Sequence, residues 1–501
     1  MTVVQRFLSL LVISVPLWCA AQVNPEDDDV FRSREISEIR ITMDADHKID
    51  LLDDVDLFED IYYPCDLTFQ NSRLNETVQN VGIRLRGNTS RNHPKRSFKI
   101  DFREFGGEKF HDYKKFNLKA ENNDPSVIRE HLALEIFRLA GVPAARSHHV
   151  KLYINDEYMG LYLNVEQIDD EFVQERFGND EGNLYKCYWG STLEDDGQVS
   201  DDGRYELKTN EEVNNRAVLR NMVEVLNQNE SPNWTAEFGA VFNIDRFIKY
   251  LAAEALLGHW DGYSYNKNNF YLYEDPESGL VEFITYDVDN TFGIDWVSRD
   301  WSDRDVLDWP RHGDPRPLVA NIMAVEHYRN RYIIELTTLL DGIFSEAYLY
   351  PIFDSYRTLL SDANATDPYF PLTFGFSHQT FLDSHDQDDI TFHLPYALRS
   401  YVEIRSQSAR DQIPDVEVVL NAREPIPPPT IYPNPTANNV VFVITTSADP
   451  QISVSNLSGK GVQHRLAPGS GGEWVILLDN VTSGIYIIQV DGTRHKLRVG
   501  R

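Results

Sequence analysis

A proline-rich segment at residues 424–429, Glu-Pro-Ile-Pro-Pro-Pro, divides this chain of 501 residues into two parts. Proline fixes the backbone dihedral φ and removes an amide donor, so such a run forms a stiff spacer and is excluded from regular helices and sheets. We therefore predict one folded domain at residues 36–423 and a second at residues 430–501, joined by a linker at 424–429.

The two parts differ in their hydrophobic pattern. Residues 36–423 alternate between strand-like and helix-like periodicity, which indicates an α+β domain. Residues 430–501 contain short apolar runs separated by Gly, Asn and Ser, with no helical period. The runs at 440–444, 474–478 and 485–490 predict strands of a small β-sandwich.

The N-terminus has the pattern of an export signal. Arg6 precedes an apolar run at residues 7–18, and small residues at positions 20 and 21 offer a cleavage site. The run is too short to span a membrane, and no other stretch is long and apolar enough to be a transmembrane segment. We predict a signal peptide at residues 1–21; a buried N-terminal helix is the alternative.

The charge of the chain limits its partners. Its 79 acidic and 47 basic residues give a formal net charge of -32, which argues against nucleic acid as a partner. The same charge suits a secreted protein that binds metal cations. Export also permits a disulfide between Cys65 and Cys187, but the sequence favours two separate buried thiols.

A cluster of acids and amides follows a predicted buried helix. Asn243 is a suitable N-cap for this helix, and Gly258 is expected to end it. Asp261 then lies in the loop that leaves the helix. Two predicted strands come next, at 270–273 and 281–286, and the second delivers further acids at its end.

The order of these side chains is that of a phosphoryl-transfer site. Asp261 is followed by Asn266 and Asn269, and the second strand leads into Asp287 and Asp289. A base, a metal-binding amide and a metal-binding carboxylate occur in this order in enzymes that transfer phosphate. The alternative is that these residues only cap helices and form turns, which is common in an acidic chain.

A predicted hairpin supplies cations. Arg86 and Asn88 lie at a Gly-containing turn after one strand, and Lys95 and Lys99 lie where the chain returns. A turn with exposed amides beside lysines can hold a phosphate group. The same residues also suit an ordinary hairpin with a solvated basic edge.

A second helix is expected to begin at Asp124-Pro125, with Asp as the N-cap. Its apolar stripe consists of Ile128, Leu132, Ile136 and Leu139. Glu135 falls on this stripe, and a carboxylate that faces a core needs a cation, for which Lys99 or Lys95 is the candidate. A Glu at the margin of the stripe that reaches water is the alternative.

Several motifs, taken in order, resemble those of the CotH family of spore-coat-type atypical kinases. They are RGNTS, KRSFKIDF, NLKA, IREHLALEIFRLAGVP, NDEYMGLYLNVEQID, NNFYLY and YDVDNTFG, and they cover residues from about 80 to about 295. The resemblance implies a divergent, two-lobed protein-kinase-like fold. It also implies transfer of the γ-phosphoryl group of ATP to Ser or Thr of secreted or surface proteins.

The resemblance also assigns roles within the acidic cluster. It makes Asp261 the catalytic residue that deprotonates the acceptor hydroxyl. Asn269, directly before a strand, resembles the amide ligand of the metal, although Asn266 has the spacing of an ordinary kinase loop. Asp287 resembles the metal-binding carboxylate, with Asp289 second. The implied metal is Mg²⁺ or Mn²⁺.

For the nucleotide, the resemblance implies that Lys99, or otherwise Lys95, contacts the ATP phosphates and pairs with Glu135. Arg86 and Asn88 belong to the same expected phosphate-binding turn. The chain departs from ordinary kinases here, since it has neither a complete G-x-G-x-x-G loop nor an H-R-D motif.

The C-terminal module has a resemblance of its own. The segments IYPNPT, VSNLSG and SGIY and a basic terminal stretch are similar to the C-terminal sorting domain of type IX secretion. This implies export through the periplasm and across the outer membrane of a Bacteroidetes-type bacterium, with the type IX machinery as a partner. The protein is then secreted or attached to the cell surface.

Two functions fit these observations. The first is a secreted kinase, or a transferase that uses the same site for adenylylation. The second is a non-catalytic surface or structural binding protein that retains the kinase-like fold. A glycosidase with paired acids is a third, more remote hypothesis.

Overall fold

The computed structural model of the protein divides into two compact units, residues 1–419 and 420–501. The residues that it describes are 23–52, 60–87, 89–200, 203–414, 430–432, 440–444, 450–456, 460–468, 473–478, 481–490 and 493–499. The predicted signal peptide and the proline-rich linker lie outside these residues. Within the described part of the chain, no helix is long and apolar enough to cross a membrane.

Seven strands of the first unit close into a barrel. They are β1 Ile36–Met43, β2 Tyr63–Gln70, β3 Asn75–Arg86, β4 Ser97–Asp101, β5 Lys115–Lys119, β6 Ser147–Ile154 and β7 Glu157–Glu166. The order around the barrel is β1-β2-β3-β4-β5-β7-β6. Helix α1, Ala45–Leu52, follows β1, and a 3-10 turn, Thr89–Asn92, lies between β3 and β4.

The side chains of β4 alternate between the two faces of the strand. Phe98 and Ile100 are fully buried in the barrel core, and Lys99 lies on the opposite face of the strand. In the sheet, Lys99 is opposite Arg84 of β3 and Asn117 of β5. The outer face of these three strands therefore carries polar and cationic side chains, which face away from the barrel interior.

Helix α2, Arg129–Leu139, begins later than the sequence indicated. The prediction of a start at Asp124-Pro125 is wrong, because the Asp124 carboxylate instead accepts backbone N–H bonds from Ser126, Ile128 and Arg129 ahead of the helix. Leu139, expected on the buried stripe, is 51% exposed. Glu130 lies in the first turn of this helix, and it is the glutamate that contacts the site described below.

A second sheet and most of the helices form the rest of the first unit. The strands are β8 Leu184–Cys187, β9 Tyr205–Leu207, β10 Phe270–Glu274 and β11 Val281–Thr285, in the order β11-β10-β8-β9. The helices are α3 Asp170–Phe177, α4 Ala217–Asn227, α5 Trp234–Gly239, α6 Ile244–Leu257, α7 Tyr263–Asn266, α8 Pro317–Ala324, α9 Glu326–Asp341, α10 Glu346–Ala365, α11 His378–Asp383 and α12 Leu398–Gln412. Their buried side chains make a hydrophobic core distinct from that of the barrel.

The predictions for the helix before Asp261 are confirmed. The Asn243 side chain caps α6 by accepting the backbone N–H of Arg246, and Gly258 ends the helix with a φ of 68°. Such a positive φ favours glycine, because other residues are strained there. The next two predicted strands are β10 and β11.

The second unit is built of antiparallel strands. They are β12 Thr430–Tyr432, β13 Val440–Ile444, β14 Ile452–Asn456, β15 His464–Pro468, β16 Glu473–Leu478, β17 Gly484–Val490 and β18 Thr493–Val499. One sheet has the order β12-β13-β16-β15 and the other β14-β17-β18. Val441 and Ile476 of the first sheet and Val454 and Ile488 of the second belong to one buried cluster.

Cys65 and Cys187 are both buried free thiols. Cys65 lies in the barrel core and Cys187 in the core of the helical part. The interpretation as two separate thiols therefore holds, and the disulfide alternative is wrong.

Candidate active site

The loop after α6 places three amides around one carboxylate. The side-chain amides of Asn266, Asn268 and Asn269 all donate to Asp261, the last two over 3.5 and 3.0 Å. The amide nitrogens point at Asp261, and the amide oxygens of Asn266 and Asn269 accept no hydrogen bond from the described residues. Asp261 is thereby fixed, and oxygen ligands remain available beside it.

The environment of Asp261 sets its proton affinity. Burial raises the pKa of this carboxyl to about 6, and the negative charge of Asp287 acts in the same direction. The amide hydrogen bonds oppose the shift but do not cancel it. A carboxylate whose pKa lies near neutrality is suited to accept a proton from a hydroxyl group.

A buried glutamate of α6 holds the loop that carries Asp261. Glu254 is fully buried, and its carboxylate accepts hydrogen bonds from the hydroxyl groups of Tyr250 and Ser264. A Cβ atom at Gly262 would lie 2.5 Å from the Glu254 carboxylate, so only glycine allows this close approach. These contacts determine the path of the chain that carries Asp261.

Asp287 and Asp289 follow the end of β11 at Thr285. Although the strand has ended, both carboxylates converge on Lys119, with Nζ–oxygen distances of 2.5 Å for Asp287 and 4.0 Å for Asp289. Burial opposes ionisation of Asp287, but Lys119 and Arg86 lower its pKa to about 2. Asp289 differs, because burial and the neighbouring carboxylates raise its pKa well above the usual range.

Lys119 also pairs with Glu130, and this pair was missed by reasoning from the sequence. Lys119 is the last residue of β5, and Glu130 lies in the first turn of α2 and is 1% exposed. The pair therefore joins the barrel to a helix beside Asp287. Lys119 belongs to the motif NLKA and Glu130 to the motif that begins IREH, but neither motif by itself specifies the pairing.

The predicted pairing of Glu135 with Lys99 or Lys95 is wrong. Glu135 makes its ion pair with Arg34 at 2.5 Å. Lys95 is 2% exposed and bonds the carboxylate of Asp367 at 2.7 Å and the backbone oxygen of Leu161 at 2.6 Å. Lys95 is thus part of a buried structural contact between the barrel and the chain after α10.

Replacement of Lys95 with Met is expected to lower the free energy of unfolding by about 3–5 kcal/mol, because it leaves the Asp367 carboxylate buried and unpaired. Denaturant unfolding measures the effect. Lys99→Met is the matched control and should cost much less, since Lys99 has no ion-pair partner among the described residues. Equal losses in the two variants would contradict the structural role of Lys95.

Lys99 lies in a cationic environment. Burial, together with the charges of Lys115 and Arg86, lowers its pKa well below the usual range. Lys186 and Arg84 act in the same direction. A concentration of positive charge beside a half-buried lysine is a favourable site for an anion.

Arg86, at the end of β3, approaches the acidic cluster. Its guanidinium donates to the hydroxyl of Tyr286 at 3.0 Å, and Asp287 is one of the charges that stabilise it. Asn88, predicted beside it, lies outside the described residues. His259, two residues before Asp261, is fully buried, and burial lowers its pKa to about 4.

The arrangement is compatible with a divalent cation. Across the described residues, no group of three or more His, Cys, Asp or Glu side chains is arranged to hold a metal by itself. The ionised carboxylate of Asp287 and the free amide oxygens of Asn266 and Asn269 are nonetheless the oxygen ligands that Mg²⁺ prefers. Phosphate oxygens and water would have to supply the remaining ligands.

Comparison with known proteins now decides the family. A family model described as "CotH kinase protein" matches residues 83–387, which is more than half of the chain and includes every candidate residue from Arg86 to Asp289. The chain belongs to the CotH family. A second model, described as "Secretion system C-terminal sorting domain", matches residues 430–498 downstream of the CotH region.

Curated relatives of this CotH protein come from a bacterium and a fungus. It is 24% identical to the inner spore coat protein H of Bacillus subtilis (strain 168) over 347 residues, 68% of this chain and 89% of that protein. It is 26% identical to invasin CotH2 of Rhizopus delemar over 46% of this chain and 40% of the invasin. Invasin CotH3 is 24% identical over 56% of this chain and 49% of the invasin.

The sorting domain of this CotH protein indicates export by the type IX secretion machinery and a secreted or cell-surface location. Parts of its motifs, including residues 433–436 and 457–459, lie outside the described residues. The predicted strands at 440–444, 474–478 and 485–490 are present in β13, β16 and β17.

Proposed function

We propose that this protein is an extracytoplasmic kinase that transfers the γ-phosphoryl group of ATP to Ser or Thr residues of exported or surface proteins. The observation that carries the proposal is the convergence of Lys119, Glu130 and Asp287 close to the amide-bound carboxylate of Asp261. A strand lysine paired with a helix glutamate beside a metal-binding Asp is the arrangement used by protein kinases.

The reaction needs one proton transfer and one displacement at phosphorus. Asp261 accepts the proton of the acceptor hydroxyl as the hydroxyl oxygen forms a bond to the γ-phosphorus. The bond between that phosphorus and the oxygen bridging it to the β-phosphate breaks, and ADP leaves with the electron pair. Most of the catalysis is positioning and neutralisation of charge, which the cations of the site provide.

The nucleotide is proposed to lie against the outer face of β3, β4 and β5. Lys119, Lys99 and Arg86 on this face would contact its phosphates, and Asp287 with Asn266 or Asn269 would hold Mg²⁺ or Mn²⁺. The metal would supply positive charge that neutralises the phosphates. Asp289 would be a second carboxylate near the metal. The positive charge of the metal would favour the ionised form of Asp289.

The fold is proposed to be a divergent two-lobed kinase. The barrel with α2 would be the first lobe, and the helical part that carries Asp261 would be the second. The two sheets of the second unit, which share one buried cluster, would form a small β-sandwich that serves as the sorting domain. We propose a route through the periplasm of a Bacteroidetes-type bacterium, begun by the signal peptide at 1–21.

A non-catalytic surface protein is the second candidate function. It is favoured by the names of the relatives, which describe a spore coat protein and invasins. A protein of this kind would need neither a metal-binding carboxylate nor a base with a raised pKa. Turnover of ATP therefore separates the two candidates.

The pH dependence of label transfer from γ-labelled ATP tests the role of Asp261. The base must be ionised, so kcat/KM for the acceptor is expected to rise about tenfold per pH unit up to about 6 and then to level off. Asn268→Ala removes a hydrogen bond that lowers this pKa, and the rising limb should move to higher pH.

If the rising part of the pH profile does not move in Asn268→Ala, it reports the ionisation of ATP or of another group. That result would contradict the assignment of Asp261 as the base. No transfer at any pH would favour the non-catalytic function instead.

A further inference from the structure

The barrel contains a cavity that is separate from the candidate active site. It has a volume of about 750 Å³ and is lined by residues of α1, the chain that enters β4, the β6–β7 hairpin and Tyr369. No lining residue belongs to the proposed nucleotide, metal or catalytic groups. Phe98 of β4 lines the cavity, whereas its neighbour Lys99 is on the other face of the strand, so the barrel wall separates the two sites.

The floor of the cavity is the apolar interior of the barrel. Phe98, Met159 and Tyr162 line it and are 0%, 2% and 1% exposed. The Tyr162 hydroxyl has no hydrogen-bond partner among the described residues, although Lys95 Nζ lies 4.9 Å from the centroid of its ring. A buried tyrosine hydroxyl normally has a partner, so this atom is left available to a bound molecule.

The rim of the cavity carries charge. Lys48 is neutralised by Glu157 at 2.6 Å. Arg96 differs, because its guanidinium donates to the backbone oxygen of Arg91 at 3.1 Å and has no carboxylate partner in the described part of the chain. The planar guanidinium has five N–H donors, and those that do not bond Arg91 can be offered to an anion in the cavity.

We propose that this cavity is a binding site for a small amphipathic anion. A carboxylate or phosphate headgroup would pair with Arg96, and an apolar body would lie over Phe98 and Met159. The Tyr162 hydroxyl would donate to a polar atom of the ligand. The volume of the cavity falls within the range of about 300–1,000 Å³ that is typical of small-molecule sites. Such sites are often found at the mouths of β-barrels.

Calorimetric titration of the full chain tests this proposal. The probes are dodecanoate and dodecyl phosphate below their micelle concentrations, with dodecyltrimethylammonium as a probe that has the same tail and the opposite charge. The anions should bind, and the cation should bind at least about tenfold more weakly. A comparison of the two anions tells whether the site prefers a carboxylate or a phosphate headgroup.

Three variants locate the binding site. Arg96→Gln and Tyr162→Phe should each weaken binding of the preferred anion about tenfold, since each removes a hydrogen bond to a charged or polar group. Ile49→Trp should block the entrance, because Ile49 lines the cavity and is 52% exposed, so a larger side chain there needs no repacking of the core. Arg73→Gln, on the exposed turn between β2 and β3, is the control and should bind as the unaltered chain does.

Thermal melting of each variant shows that it is folded. Binding that is equal for the cationic and anionic probes, or that is unchanged in Arg96→Gln, Tyr162→Phe and Ile49→Trp, would overturn the proposal. Absence of binding by both anions would overturn it as well. None of these outcomes depends on whether the protein is a kinase.

Discussion

Replacement of Lys119 with Met is expected to reduce phosphoryl transfer by about 10²–10³-fold, the usual cost of removing one preorganised charged donor from a transition state. Lys119 is the cation on which Glu130, Asp287 and Asp289 converge. The measurement is kcat/KM for ATP with γ-labelled nucleotide. Lys109→Met, which removes a lysine paired with Glu171 at the surface, should retain full activity.

Loss of stability must be separated from loss of function in this variant. Lys119→Met leaves Glu130, which is 1% exposed, without its cation, so the free energy of unfolding should fall by about 3–5 kcal/mol. The double variant Lys119→Met/Glu130→Gln removes the unpaired charge and should recover most of that stability while remaining inactive. Recovery of activity in the double variant would mean that Lys119 acts only through the fold.

Replacement of Asp287 with Asn is expected to cause the second large loss of phosphoryl transfer. Because Lys119 and Arg86 overcome burial and keep the pKa of Asp287 at about 2, the carboxylate is ionised at every pH of interest and ready to bind a cation. We expect phosphoryl transfer to fall about 10³-fold or more, as positive charge between the phosphates is lost. Nucleotide binding in the variant should no longer depend on Mg²⁺.

Asp289→Asn is the matched comparison. Asp289 lies further from Lys119, and burial and neighbouring carboxylates raise its pKa, so its replacement should cost much less activity than that of Asp287. Equal losses in both variants would show that the metal needs both carboxylates. Metal-dependent nucleotide binding that survives in Asp287→Asn would contradict the assignment of the metal site.

Local signals in the sequence were sufficient for much of the fold. The Asn243 cap, the end of α6 at Gly258 and the strands β10 and β11 follow from side chains that act within a few residues of their own position. The convergence of Asn266 and Asn269 on Asp261 also lies within one short loop. Such features depend little on the rest of the molecule, so the sequence can reveal them.

The lysine and glutamate of the site could not be assigned in this way. Lys95 is bonded to Asp367, which is 272 positions away, and no local pattern specifies that contact. Glu130 and Glu135 are five residues apart, which places them about 140° apart around a helix. Glu130 therefore faces Lys119, while Glu135 meets Arg34 on another side of the helix.

The most direct measurement compares transfer of label from α-labelled and γ-labelled ATP by the purified full chain with Mg²⁺ or Mn²⁺. The acceptors are the chain itself and a preparation of exported proteins, and Asp261→Asn is the catalytic variant. We expect the γ-label alone to become covalently attached to Ser or Thr, with about a 10²–10⁴-fold loss in the variant. Transfer of the α-label would indicate adenylylation, and the absence of either label, or full activity in Asp261→Asn, would contradict the kinase mechanism.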